Sequence, residues 1–321
     1  MPLSSLSVNR NSWPLVKTLC DKAEAYGVAV KQTKLGTTII DAGIEAKGGL
    51  LAGKMITEIC LGGYGKAHIF TAQYDDLELP AISVYTDHPA TATLGSQFAG
   101  WQIKVGKYFA MGSGPARALA QKPQELYGKI EYKDTADRAV LVLETSKSPP
   151  DEVVAHICEE CSVSPENLFL VLAPTTSVAG STQISGRAVE TGIHKLERLG
   201  LDPTLIQHAC GYAPIAPVIQ DFSEAMGRTN DAILYAGVVH CTVTHTSDGR
   251  LRDLVEKAPS SASRSYGQPF VNIFKEADHD FYKIDPNLFA PAVLVANNAE
   301  TGSTFRNGGV NVQIFKRSIG L

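Results

Sequence analysis

Ala139-Val140-Leu141-Val142-Leu143-Glu144, a helical stretch from Pro150 to Cys161, and Leu168-Phe169-Leu170-Val171-Leu172-Ala173 decide the fold class. Each outer run is of strand length, the first closing on Glu144. A helix between two such strands predicts a β-α-β unit with parallel pairing, hence an α/β fold. Downstream, the periodicity predicts a long helix near Ser177 to Leu199, a helix around Ser223–Tyr235 and a β-branched strand from Ala236 to Thr244. Ala292–Ala296 and Val310–Phe315 read as two further strands. Upstream, a helix is expected from Ser12 to Tyr26, stopped by Gly27, with strands at Val28–Val30 and Thr37–Asp41. Gly49 to Ile59 reads as a helix closed by Gly62-Gly63. Short strand-like runs follow at His68–Thr71, Ala81–Tyr85 and Val105–Ala110, with a short helix over Pro89–Phe98.

Residues 121–135 are polar and turn-rich, and the β-α rhythm becomes regular only after them. This places an approximate division between an N-terminal α/β domain, 1–130, and a C-terminal α/β domain, 131–321, whose last strands could return to the first domain. Leu172–Thr182 and Val295–Thr304 both run from a strand into Gly-Ser-Thr, an echo too short to establish duplication.

The chain has 321 residues, enough for one large core or two ordinary ones. Lys+Arg number 29 against 33 Asp+Glu, a formal net charge of −4 without a basic cluster, which argues against a nucleic-acid partner. A hydrophobic fraction of 44% is ordinary for a globular chain, and no apolar run of about 20 residues suggests a membrane span. Met1–Leu6 lacks the pattern of a secretory leader, so a cytoplasmic location is expected. Of six cysteines, only Cys158 and Cys161 have ligand-like spacing. No second pair completes a zinc site, and the two close a helix instead of opening one, so inert thiols are expected. His240, His245 and Asp248 are the other metal candidates. Five residues apart on a strand, the two histidines would face opposite sides, which disfavours chelation.

Three stretches carry possible chemistry. Gly112-Ser113-Gly114-Pro115 ends a strand and could open a helix with backbone N–H groups toward an anion, although it matches neither a P-loop nor a dinucleotide fingerprint. Arg187 and Glu190, three apart on the expected long helix, share one face. A guanidinium beside a carboxylate favours its charged form while burial opposes it, which suits a base for water; an exposed ion pair is the plainer alternative. The aromatic-rich run from Tyr266 to Pro291 either anchors a long connection or walls a pocket for a flat heterocycle.

Together, Gly112–Ala118, Arg187-Ala188-Val189-Glu190-Thr191-Gly192-Ile193-His194-Lys195-Leu196 and Asp280–Pro286 with Leu288–Pro291 resemble the methenyltetrahydromethanopterin cyclohydrolase family. The resemblance runs from Gly48-Gly49 to about Asn311. It implies two α/β domains flanking a large pocket, a cytoplasmic homotrimer, and one-carbon metabolism in methanogens or methylotrophs. The implied reaction interconverts 5,10-methenyltetrahydromethanopterin plus water with 5-formyltetrahydromethanopterin. The pterin is the substrate, and neither cofactor nor metal is expected. The family's catalytic Arg and Glu fall on Arg187 and Glu190, and its pocket lysine falls on Lys104 or Lys107, with Lys104 preferred by position. Gly112, Ser113, Gly114, Gln183 and Tyr266 join Lys104 as expected substrate-binding residues. A non-catalytic pterin or flavin carrier, an interaction protein and a folate-using cyclohydrolase are the alternatives.

Overall fold

A computed structural model describes residues 6–321. The start of the chain, on which the expectation about a secretory leader partly rests, lies outside the described residues. The chain folds into two compact units that interleave in sequence: residues 6–66 with Ala90–Gln183, and Ala67–Pro89 with Ile184–Leu321. Each unit holds one six-stranded sheet. The mixed α/β architecture expected from the sequence is therefore present twice.

The first sheet comprises β1 (Ala29–Gln32), β2 (Thr38–Asp41), β5 (Trp101–Val105), β6 (Tyr108–Ser113), β7 (Ala139–Glu144) and β8 (Leu168–Leu172), in the order β1-β2-β8-β7-β6-β5. β2, β8 and β7 run parallel, as the β-α-β pattern requires, and antiparallel hairpins flank them. The period of two along each strand builds two cores. Ala139, Leu141 and Leu143 with Leu168, Leu170 and Leu172 meet Val153, Val154 and Ile157 of the helix Asp151–Cys161. Val140 and Val142 with Phe169 and Val171 meet Val16, Leu19, Ile56 and Ile59 from the helices Val8–Asp21 and Leu50–Cys60. Covered on both faces, these strands need apolar residues throughout. Gly62 and Gly63, at φ +63° and +72°, reverse the chain after the helix Leu50–Cys60, in a conformation a Cβ would strain.

The second sheet comprises β3 (Gly65–Tyr74), β4 (Leu77–Thr86), β9 (Ile206–Pro214), β10 (Val238–Val243), β11 (Val293–Asn298) and β12 (Thr304–Gly308), in the order β12-β11-β10-β9-β4-β3. Only β10 and β11 are parallel among the registered pairs. Its strands alternate: Ala209, Gly211, Val239 and Cys241 are buried, whereas His208, Cys210 and His240 are exposed. One face is buried, and the other is open at His208, Cys210 and His240 but covered at Val238 and Val293, which pack with Tyr212 and Val295.

Several elements differ from the sequence reading. Residues 121–135 are no boundary: they contain the helix Gln124–Ile130, whose Leu126, Tyr127 and Ile130 are buried within the first unit. β7 and β8, expected in the C-terminal domain, form the middle of the first sheet, and the returning strands are N-terminal ones, β3 and β4. Val105–Ala110 is a hairpin turning at Gly106, not one strand. The Val310–Phe315 strand is instead the helix Val312–Ile319, capped by Asn311, whose side chain accepts from the Ile314 N–H. Gly180-Ser181-Thr182 is helical while Gly302-Ser303 turns into β12, so the sequence echo has no structural counterpart. Pro89–Phe98 does form a helix, but of π type over Ala90–Gln97.

Candidate active site

The expected helix from Ser177 to Leu199 is two helices, Val178–Ser185 and Ala188–Arg198. Arg187 sits at the break as N-cap, with φ −94° and ψ 2°, outside the helical well. Its carbonyl accepts from the Thr191 N–H at 2.8 Å and the Thr191 hydroxyl at 3.0 Å, starting the second helix firmly. Glu190 is the third residue of that helix, where the positive end of the helix dipole favours a carboxylate. Arg187 Nη1 lies 3.9 Å from Glu190 Oε2. That distance is an ion contact, too long for a direct hydrogen bond. The side chains are 10% and 8% exposed, which excludes the exposed-ion-pair alternative.

The helix is held by its apolar face. Val189, Ile193 and Leu196 are buried, and a Cβ on Gly192 would stand 3.0 Å from Val239 Cγ1 of β10. Gly192 therefore lets the helix lie directly on the second sheet, fixing the height of Glu190 above it. Lys195, one turn beyond Thr191, is 2% exposed. Its ammonium donates to the Asn287 carbonyl at 3.1 Å and to Asn287 Oδ1 at 2.8 Å. Burial pushes this amine down to about 8; Asp285 opposes the shift and Arg198 adds to it. Lys195 lies in the Arg187–Leu196 stretch but is not among the residues expected at the site. The signal available was a cation on the apolar side of an amphipathic helix, where a lysine has to find a partner.

Tyr266 belongs to the same unit. Its ring lies 5.0 Å from that of Tyr235, its hydroxyl accepts from Asn311 Nδ2 at 3.3 Å, and with Gln268 and Glu276 it lines a cavity of about 480 Å³. The rest of the aromatic run mainly anchors: Phe270 and Phe274 are buried in a core cluster with Tyr235 and Phe315.

Lys104, Gly112, Ser113, Gly114 and Gln183 lie in the first unit. Lys104 is exposed on the edge strand β5, and Lys107 is exposed in the hairpin turn after it. Gly112 and Ser113 end β6 and are buried. Gly114, at φ +99°, donates its N–H to the Ser96 carbonyl at 2.8 Å, so this amide is committed inside the protein, not offered to an anion. Arg117, fully buried, donates from Nη1 to the carbonyls of Leu94 and Ser96 at 3.1 and 3.0 Å, with its guanidinium over the rings of Phe98 and Tyr127. The Gly112–Ala118 motif thus holds the end of the π-helix, a helix type frequent at functional sites. Gln183 is buried in the helix Val178–Ser185, four residues before Arg187.

The metal candidates are dispersed. His240 is exposed on β10, His245 Nδ1 accepts from the Ser247 N–H, and Asp248 accepts from the side chains of Asn298, Thr301 and Ser303. Among the described residues, no group of three or more His, Cys, Asp or Glu is arranged to hold a metal ion. Cys158 and Cys161 are free thiols in the core of the first unit, and burial pushes both upward, away from reactivity. No described helix is long and apolar enough to cross a membrane.

The two units are thus mixed α/β, and the second buries a guanidinium and a carboxylate together at the start of a helix. Comparison with known proteins sharpens this class. Residues 7–319 match the family model described as Cyclohydrolase (MCH). The methenyltetrahydromethanopterin cyclohydrolase of Methanocaldococcus jannaschii is 46% identical over 318 residues, covering 98% of each chain. Those of Methanococcoides burtonii and Methanothermobacter marburgensis are each 46% identical, covering 98% of this chain and 99% and 100% of theirs. The chain belongs to this cyclohydrolase family.

Proposed function

We propose that the protein interconverts 5,10-methenyltetrahydromethanopterin and water with 5-formyltetrahydromethanopterin, and that Glu190 is the base that activates the water. Family membership and relatives aligned over nearly the whole chain support the reaction. The buried Arg187–Glu190 pair at the first turn of its helix carries the assignment of the base.

The methenyl bridge is an amidinium-like cation, so its carbon is electrophilic before the protein acts. What remains is to position a water, accept one of its protons as the oxygen adds, return a proton to the ring nitrogen as the C–N bond opens, and release the hydroxyl's remaining proton to solvent as the formyl C=O forms. Glu190 takes the proton and offers a negative charge to the cationic ring; Arg187 orients the water and favours the charged carboxylate. The reaction then needs no metal and no cofactor besides the pterin itself. Lys104, Gly112, Ser113, Gly114, Gln183 and Tyr266 are the candidate substrate contacts, Lys104 for an anionic part of the tail. The resemblance further supports a cytoplasmic homotrimer, which sedimentation at micromolar concentration tests.

The deciding experiment follows ultraviolet absorbance of the methanopterin and folate methenyl cations with wild type and Glu190→Gln. Wild type turns over the methanopterin compound after exhaustive chelation. The variant folds normally and loses at least ~100-fold in turnover, the lower end for a positioned acid–base group. Near-wild-type turnover in the variant refutes the base; preference for folate refutes the substrate; loss on chelation refutes the metal-free mechanism.

A further inference from the structure

Lys195 is a fully buried cation that the proposed chemistry does not use. Its two hydrogen bonds to Asn287 join the helix Ala188–Arg198, which carries Glu190, to the turn Pro286–Leu288. That turn is itself a junction. Asp285, just before it, accepts from the Asn287 N–H at 3.0 Å through one carboxylate oxygen. Its other oxygen accepts from the Ser263 hydroxyl at 2.8 Å and the Arg264 N–H at 3.1 Å. The Ser263 hydroxyl accepts in turn from the Ser265 N–H at 3.1 Å. On the far side of the loop, the Gly267 N–H donates to the Tyr235 hydroxyl, which donates to the Gln268 carbonyl. Residues 263–268 are therefore pinned at both ends, and the pin at 263–265 leads back to Lys195. Residues 264–268 form one wall of the cavity of about 480 Å³ that Tyr266 lines.

We infer that Lys195 is a positioning residue: through Asn287 and Asp285 it sets the loop 263–268, and so ties the placement of Tyr266 to the helix that presents Glu190. The inference rests on the cyclohydrolase reading only in taking Tyr266 as a substrate contact. A buried ammonium suits the task because leaving it without its acceptors is costly, so the helix and the turn separate only together with that loss. Methionine in its place keeps most of the stem and removes every donor.

The test compares wild type, Lys195→Met and Tyr266→Ala with their double variant, reading KM and kcat for the methanopterin methenyl cation and amide hydrogen exchange by segment. In Lys195→Met, KM rises by roughly 10-fold while kcat stays within about 2-fold, as expected when placement and not chemistry is lost. Exchange accelerates in residues 263–268 and not along the helix 188–198. In the Tyr266→Ala background, Lys195→Met adds little to KM, because both changes act through one contact. Unchanged exchange in 263–268, or fully additive KM effects, overturns the inference. If Lys195→Met does not fold, Asp285→Asn breaks the same chain nearer the loop and gives the same pattern or refutes it. The exchange arm is read even if wild type fails to turn over the pterin, so failure of the reaction and failure of the coupling are separable.

Discussion

Asp231 offers a stability prediction whose size follows from its surroundings. It lies fully buried in the helix Phe222–Ala236 and accepts from the Phe270 N–H at 3.0 and 3.1 Å and from the Ser318 hydroxyl. One carboxyl thus ties this helix to the helices Phe270–Glu276 and Val312–Ile319. Burial pushes it up from 3.8 to about 7, and the bonds from Ser318 and Phe270 only partly oppose that rise. The native protein therefore keeps a proton that the unfolded chain has released. The contribution of this group to stability is fully present below pH 3.8 and is lost as pH rises through about 7. At about 1.36 kcal/mol per pH unit, the whole window is worth on the order of 4 kcal/mol, and the stretch from pH 5 to 7 more than half of it. Asp231→Asn cannot titrate; its amide oxygen can still accept from Phe270 and its NH₂ can donate to the Ser318 oxygen. Urea unfolding of both proteins at pH 5, 6 and 7 is the assay, with other ionisable groups cancelling in the difference. The variant gains about 2–3 kcal/mol relative to wild type between pH 5 and 7. Parallel pH profiles would refute the argument that burial, and not a cation, sets this carboxyl.

Two further expectations concern packing. At Gly53 a Cβ would stand 2.4 Å from Thr182 Cβ and 2.8 Å from the Ala179 carbonyl oxygen. Gly53→Ala is therefore destabilising, since overpacking of about 1–3 kcal/mol exceeds the gain in helix propensity of up to ~1 kcal/mol; a raised thermal midpoint would contradict this. In the folded protein a thiol reagent modifies the exposed Cys210 and spares Cys158, Cys161 and Cys241, which react only after unfolding. Modification of the native Cys158–Cys161 pair, read by peptide mass, would show that the helix end is open.

The sequence was most legible where one physical rule acts alone. β7 and β8 read as parallel strands because a helix separates two apolar runs of strand length, and the structure buries Ala139–Leu143 and Leu168–Leu172 between two cores. The helix Leu50–Cys60 was legible through its double-glycine stop. β9 escaped because His208 and Cys210 face solvent and Gly211 stands in mid-strand, so the run lacks both continuity and β-branching. The helix Val312–Ile319 was mistaken for a strand because Val312, Ile314 and Phe315 fit a short alternation as well as a helical stripe, and only the Asn311 cap separates the two. The interleaving of the two units was illegible in principle: composition reports local structure, whereas β3 and β4 join β9 through pairing at long separation.

The sequence suggested one continuous helix; the structure breaks it at Arg187, and this changes the surroundings of Glu190. On an unbroken helix, Arg187 and Glu190 would be an ordinary pair one turn apart, and the carboxylate would feel only its neighbour. Interrupting the helix at Gly186-Arg187 places Glu190 in a first turn, so the helix dipole and the guanidinium act on the carboxylate in the same direction. The guanidinium reaches the carboxylate as an ion contact at 3.9 Å, without a direct hydrogen bond between them. The pair's spacing was legible in the sequence; the helix restarting three residues before the acid was not. A residue that restored helical continuity there would keep both charged groups and still lose the dipole, so on the proposed assignment of Glu190 the break itself is a testable feature.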